Sequence, residues 1–148
     1  MRPDARDLPP GVLVLAPGAG RAYPLGHMQA FFKADGEETD DRYSVSEWWL
    51  EPRQPGPGPH AHEANEELFY VIEGTMTFQA GEAMVDAPRG AFLRIPAGVV
   101  HDFMNHTDAR AGVLNVFLPG GFEEQMPSIV KWYEDQADTL RSTREKEA

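Results

Sequence analysis

Apolar residues along this chain come in short bursts rather than long helical stripes. Arg42–Pro52 (RYSVSEWWLEP) is rich in β-branched and aromatic residues and stops at a proline, which predicts a strand. Glu66–Gly74 (EELFYVIEG) is an apolar run closed by glycine, and Thr75–Gly81 (TMTFQAG) follows at once, so the pair predicts a hairpin. Ala91–Gly98, Val99–His106 and Ala111–Pro119 continue the pattern, and Gly26–Asp35 is a further candidate upstream. Many short strands with turns between them predict an all-β sandwich or closed barrel.

Two tracts interrupt the pattern. Pro52–Pro59 and Pro119-Gly120-Gly121 carry the residues of loops and turns. Beyond the second tract the period changes. Ile129, Trp132, Tyr133, Gln136 and Leu140 recur at helical spacing, and Pro127 suits a first helical turn. A helix is predicted from about Pro127 to Leu140, followed by a frayed end over 142–148. Its Ile129, Trp132 and Tyr133 stripe is expected to pack on this barrel or on a neighbouring subunit.

Composition narrows the function classes. The chain has 148 residues, enough for a core, and is expected to form one domain over 1–148. Its 13 basic and 24 acidic side chains give a net charge of −11. That balance argues against binding of a nucleic-acid backbone or an anionic membrane surface. There is no cysteine, so disulfides, thiolate metal sites and cysteine nucleophiles are excluded. The N-terminal apolar run, Val12–Ala16, is shorter than the roughly 7–15 residues of a secretory core. No segment approaches the roughly 18 apolar residues of a membrane span. The expected location is the cytoplasm.

The candidate chemistry begins at PGPGPHAHEANEE, Pro55–Glu67. Residues two apart in an extended chain share a face, so His60 and His62 project side by side and can share one metal ion. The rigid tract ahead of them lowers the cost of holding both rings. Glu67, Phe69 and Val71 share a face of the next strand, and a carboxylate among apolar residues is costly unless paired or metal-bound. Downstream, His101 shares a face with Phe103 and Asn105. Three imidazoles and one carboxylate form a donor set for a divalent transition metal, with Phe69, Val71 and Phe103 as candidate substrate-pocket residues. Asn105 is read as ordering a strand end. His27 and His106 are expected at the surface. Alternation puts Trp48 and Trp49 on opposite faces, so at most one of them sees a pocket.

These residues resemble those of the cupins, small β-barrel proteins with two metal-binding motifs. His60, His62, Glu67 and Gly74 fit the first motif, His-x-His, four residues, Glu, six residues, Gly. Gly90, Pro96, Gly98, His101 and Asn105 fit the second at every position. The resemblance covers about residues 42–118, with a helical tail at about 120–148. Gln54 stands where the family's opening glycine is expected, and the glycines of this loop are Gly56 and Gly58. Counting back six residues from Gly74 selects Glu67 as the carboxylate, whereas a one-residue slip would turn Glu66 inward instead.

The resemblance implies an all-β cupin double-stranded β-helix, or jelly roll, with a C-terminal helix. It implies a divalent ion (iron, manganese, nickel, copper or zinc) on His60, His62, Glu67 and His101, a small-molecule ligand, and a homodimer. The leading expectation is a dioxygenase acting on a small oxygen-rich or aromatic substrate. A redox-neutral isomerase or lyase and a non-catalytic binder are the alternatives. The redox-neutral reading needs a base. Alternation turns Asp102, Glu66 and Tyr70 away from the site, which leaves Glu47 or the N-terminal strands.

Overall fold

The computed structural model describes residues 7–147, with side chains as far as residue 140. Along the described chain run β1 (Arg21–Leu25), β2 (Met28–Ala34), β3 (Ser44–Leu50), β4 (Glu66–Glu73) and β5 (Thr75–Ala80). They are followed by β6 (Ala83–Pro88), β7 (Phe92–Ile95), β8 (His101–Met104), β9 (Ala111–Leu118) and the helix α1 (Met126–Glu147). The strands form a six-stranded sheet in the order β1-β2-β3-β9-β4-β7 and a three-stranded sheet in the order β6-β5-β8. All pairings are antiparallel. This is an all-β fold, as the strand pattern predicts, and the jelly roll with a C-terminal helix that the resemblance implies.

Side-chain alternation builds the barrel. On β3, Ser44, Ser46, Trp48 and Leu50 are buried, while Val45, Glu47 and Trp49 face outward. The inward Ser46 is not wasted, since its hydroxyl accepts the Trp48 indole N–H at 2.8 Å. The two sheets meet through aromatic rings. Phe69 of β4 lies 5.1 Å from Phe78 of β5 and 6.0 Å from Phe103 of β8, centroid to centroid.

The predicted Glu66–Gly81 hairpin is not formed. Residues on either side of Gly74 pair in different sheets: β4 with β7 and β9, β5 with β6 and β8. Gly74 makes the crossing with φ of 68°, and a Cβ there would sit 2.6 Å from the Arg110 carbonyl oxygen. The hairpin partner of β5 is instead β6, a segment whose outward, weakly alternating residues hide its strand character. β1, short and interrupted by Pro24, is likewise a strand that the pattern did not reveal. The helix continues to Glu147, so 142–147 is helical rather than frayed.

Helix α1 is attached through side chains that bind backbone. The buried Asp35, after β2, accepts from the N–H groups of Gly36 (2.8 Å), Gly121 (2.6 Å) and Glu123 (2.7 Å). Glu123, in the short 3-10 turn that leads into α1, takes two bonds from Arg21 (2.6 and 2.7 Å) and one from the Tyr23 hydroxyl (2.7 Å). Met126, Ile129, Val130 and Tyr133 then pack on the barrel core. No described helix is long and apolar enough to cross a membrane.

Candidate metal centre

The Pro/Gly tract explains how the paired histidines are held. From Gln54 to His62 the chain lies antiparallel along the edge of β8. Asn105 N–H donates to Gln54 O at 3.0 Å and Gly98 N–H to His62 O at 2.8 Å. His60 and His101 exchange both backbone bonds, at 3.0 and 2.8 Å. A Cβ on Gly56 would lie 1.8 Å from the Phe103 carbonyl oxygen, so only glycine permits this approach. Gly58 N–H is bound by the Asp102 carboxylate at 3.1 Å. Alternating prolines bring no donors, so the segment covers the β8 edge without opening a new one. The glycine position foreseen at residue 54 is thus met two residues later.

This backbone pairing places His60 beside His101, with ring centroids 4.4 Å apart, and His62 5.1 Å from His60. Nδ1 of His60 donates to Gly58 O at 2.7 Å, and Nδ1 of His101 to Val99 O at 2.9 Å. Each bond puts the proton on Nδ1 and leaves Nε2 with a lone pair. The His62 ring stands edge-on to Phe117 at 4.9 Å. From β4, Glu67 reaches in beneath the rings. Its Oε2 touches Nε2 of His101 and lies 3.6 Å from Nε2 of His62. One donor atom from each of the four residues falls within 4.8 Å of the others.

The electrostatics are those of a buried donor set. Burial pushes the His62 imidazole below its ordinary pKa. Burial also opposes charge on His101, but the adjoining Glu67 carboxylate outweighs it and the pKa is raised. Burial acts against the Glu67 carboxylate too, yet the surrounding imidazoles hold it below its usual range. Nε2 of His62 is buried without a hydrogen bond, and the buried Nε2 of His101 and Oε2 of Glu67 meet each other. Three buried polar atoms that face one point and find partners only in one another are costly to desolvate and suit a shared cation. The nitrogen-rich set with one carboxylate oxygen fits a divalent transition metal and leaves the identity of the ion open.

Glu67 has a partner that sequence reasoning missed. Asn115 of β9 donates its side-chain amide to Oε1 at 3.1 Å, leaving Oε2 to face the imidazoles. The available signal was a polar residue at an inward position of the apolar strand AGVLNVFL.

Comparison with known proteins agrees with this geometry. The Cupin domain family matches residues 46–117. The chain is 31% identical over 134 residues to the quercetin 2,3-dioxygenase of Bacillus subtilis (strain 168), a match covering 86% of this chain and 38% of that protein. The chain belongs to the cupin superfamily. In fold it is similar to a predicted oxalate decarboxylase from Thermotoga maritima, with a TM-score of 0.66, 17% identity, and coverage of 73% of this chain and 99% of that one. It is also similar to the polyketide cyclase RemF from Streptomyces resistomycificus, with a TM-score of 0.63, 22% identity, and coverage of 72% and 79%.

The cupin's donor set opens onto an inner cavity of about 70 Å³. Phe69 and Phe103 line it, as the alternation implies, together with Trp48. Val71, on the same face as Phe69, is fully buried in the core and does not reach the cavity lining. Trp49 faces outward beneath Arg110, whose guanidinium lies 4.1 Å from its ring. Glu66 points away and pairs with Arg94 at 2.9 Å, so the register that turns Glu67 inward is the one adopted. Tyr70 is exposed, and Glu47 is engaged by Trp49 (2.9 Å) and Lys33 (3.2 Å) on the outer face. His27 and His106 are exposed. Asn105 is buried outside the cavity, its amide donating to Ala109 O at 2.8 Å and Glu51 O at 3.1 Å. Phe122, Ile129 and Tyr133 complete the lining from beyond the barrel, a contribution the strand pattern did not anticipate.

Proposed function

We propose that this cupin is a metal-dependent dioxygenase acting on a small oxygen-rich or aromatic substrate. The observation that carries the reading is the convergence of buried donor atoms on His62, Glu67 and His101, which meet only one another, beside an aromatic cavity. Likeness to a quercetin 2,3-dioxygenase supports the reaction class, although the chain spans only 38% of that protein. The cavity lining supports it further. Apart from the donor residues, its one titratable side chain among the described residues is Tyr133, whose phenol burial pushes above its ordinary pKa. At neutral pH that group is a proton donor rather than a base. Isomerisation or elimination needs a base beside the substrate, and Glu47, Glu66 and Asp102 are all engaged elsewhere.

His60, His62, Glu67 and His101 would hold the ion, and Asn115 would orient Glu67. A redox-active ion bound there would bring the substrate oxygen and dioxygen together and pass electrons between them. The Nδ1 bonds of His60 and His101 aim their rings, while Trp48, Phe69 and Phe103 exclude water and offer flat walls. Oxygen uptake with flavonols and catechols, measured after loading with iron, manganese, nickel, copper or zinc in turn, tests the proposal. Uptake with a redox-active ion, absent with zinc and absent in His101→Ala, is the expected result. No uptake with any ion would sink the dioxygenase reading, and ligand binding without turnover would leave a non-catalytic binder.

The same reading includes a homodimer. The outer face of the six-stranded sheet carries Val45, Leu68, Leu114, Val116 and Leu118, with Tyr70 and Phe92 exposed by 47% and 61%. Its charges cancel locally in the Lys33–Glu47 and Arg94–Glu66 pairs, although the chain carries −11 overall. A face of this kind lets two like-charged copies approach. Light scattering should give twice the chain mass, and a monomer with wild-type oxygen uptake would count against the dimer.

A further inference from the structure

A second cavity adjoins the first. It measures about 430 Å³ against about 70 Å³ for the inner one, and the two share Pro57, His60, His62, Phe122, Ile129 and Tyr133 as walls. Sites for small molecules usually span about 300–1,000 Å³. By that measure the inner cavity is small for a whole ligand, and the open groove beside it offers room for the rest. The imidazoles of His60 and His62 border both spaces, so a ligand anchored at the donor set passes from one into the other.

The outer wall is built by α1 and the turn before it. Gln125, Ser128, Ile129, Trp132 and Tyr133 line it, and it contains no Asp, Glu, Lys or Arg. In a chain of net charge −11, a lining without carboxylates favours a neutral occupant. Trp132 is 57% exposed here, and the edge-on Tyr133 ring, 5.0 Å away at 82°, braces it. An indole left open to a cavity is a stacking platform, while Gln125 and Ser128 offer donors and acceptors at its rim.

We infer that α1 selects the substrate, with Trp132 as the specificity-determining residue for a neutral ligand that reaches from the donor set to a flat ring in the outer space. Its chelating oxygens sit at the donor set and its far ring lies on the Trp132 indole. The inference rests on the metal-anchored reading above, but not on oxygen chemistry.

The test uses the full chain loaded with zinc, which removes redox turnover. Quercetin serves as the extended probe and maltol as the one-ring chelating probe, each followed by its own absorbance change on binding. Trp132→Ala should weaken quercetin about tenfold and maltol less than about twofold, while Trp132→Phe keeps most of the quercetin affinity. Equal weakening of both probes, unchanged quercetin affinity in Trp132→Ala, or binding of neither probe overturns the inference. Lack of oxygen uptake with redox-active ions, alongside the expected binding pattern, removes the dioxygenase reading and leaves this one standing.

Discussion

The barrel wall of the site and the wall made by α1 are held by different kinds of contact. On the barrel side, backbone pairs with backbone: His60 and His101 exchange both main-chain bonds, and His62 O accepts from Gly98. On the helical side, side chains carry the attachment: Asp35 binds three backbone N–H groups, and Glu123 is held by Arg21 and Tyr23. Backbone ladders hold atoms on rigid strands whatever the neighbouring side chains, which suits donor atoms that must converge on one ion. Side-chain tethers depend on a few residues and leave the face of α1 between them free to vary, which suits the selective role proposed for it. The candidate donor set is thus built on the sheets, and the proposed selectivity on the helix.

Removing a donor should break the barrel side most severely. His101→Ala is expected to reduce near-stoichiometric metal in the purified protein to less than about a tenth, as read by elemental analysis. Metal content equal to wild type would undo the assignment of the centre. The largest effect on the helical side belongs to Asp35→Ala, which strands three N–H groups and should lower unfolding stability by about 3 kcal/mol in urea. Metal stoichiometry at low denaturant should survive that change, because no donor depends on Asp35. If metal is lost together with stability, the two walls are not separable.

Smaller effects sharpen the contrast. Asn115→Leu removes the bond that turns Oε2 of Glu67 toward the imidazoles, and metal affinity should fall about tenfold at similar apoprotein stability. A competition titration against a coloured chelator reads this, and an unchanged affinity would make Asn115 mere packing. The smallest expected effect is at Glu123. Burial acts against its charge, but Arg21 and Tyr23 hold its carboxyl below the ordinary 4.5. A depressed folded-state pKa contributes stability that is full above the unfolded value and is lost as pH falls through the folded one. Glu123→Gln should therefore cost less than about 1 kcal/mol at pH 7, and nothing at a pH below the folded value, since Arg21 is half-exposed. A loss that grows on acidification would contradict the sign of this effect.

Much of the fold was legible because inward residues alternate wherever a strand has one face in the core, as on β3. The reading failed where pattern and pairing part company. Glu66–Glu73 and Thr75–Ala80 are adjacent in sequence, but each finds partners elsewhere, because Gly74 turns the chain from one sheet to the other. β6 was invisible since most of its side chains face outward. Val71 follows Phe69 on the same face, yet it points into the deep core, and alternation alone carries no depth. The stripe on α1 was legible as a packing face, but nothing in its spacing said that Ile129 and Tyr133 would overlie the donor set.

By itself, the sequence determined which of the donor side chains share a face with their near neighbours. His60 and His62 stand two apart on extended backbone, a spacing that survives any arrangement of the rest, whereas Glu67 and His101 reach them only through the placement of β4 and β8. Only the tertiary structure decided what surrounds them: the Asn115 contact across β4 and β9, the tract laid along β8, and the helix over the opening. Local geometry is written in the period of the chain, whereas long-range neighbours are chosen by which faces must be buried together.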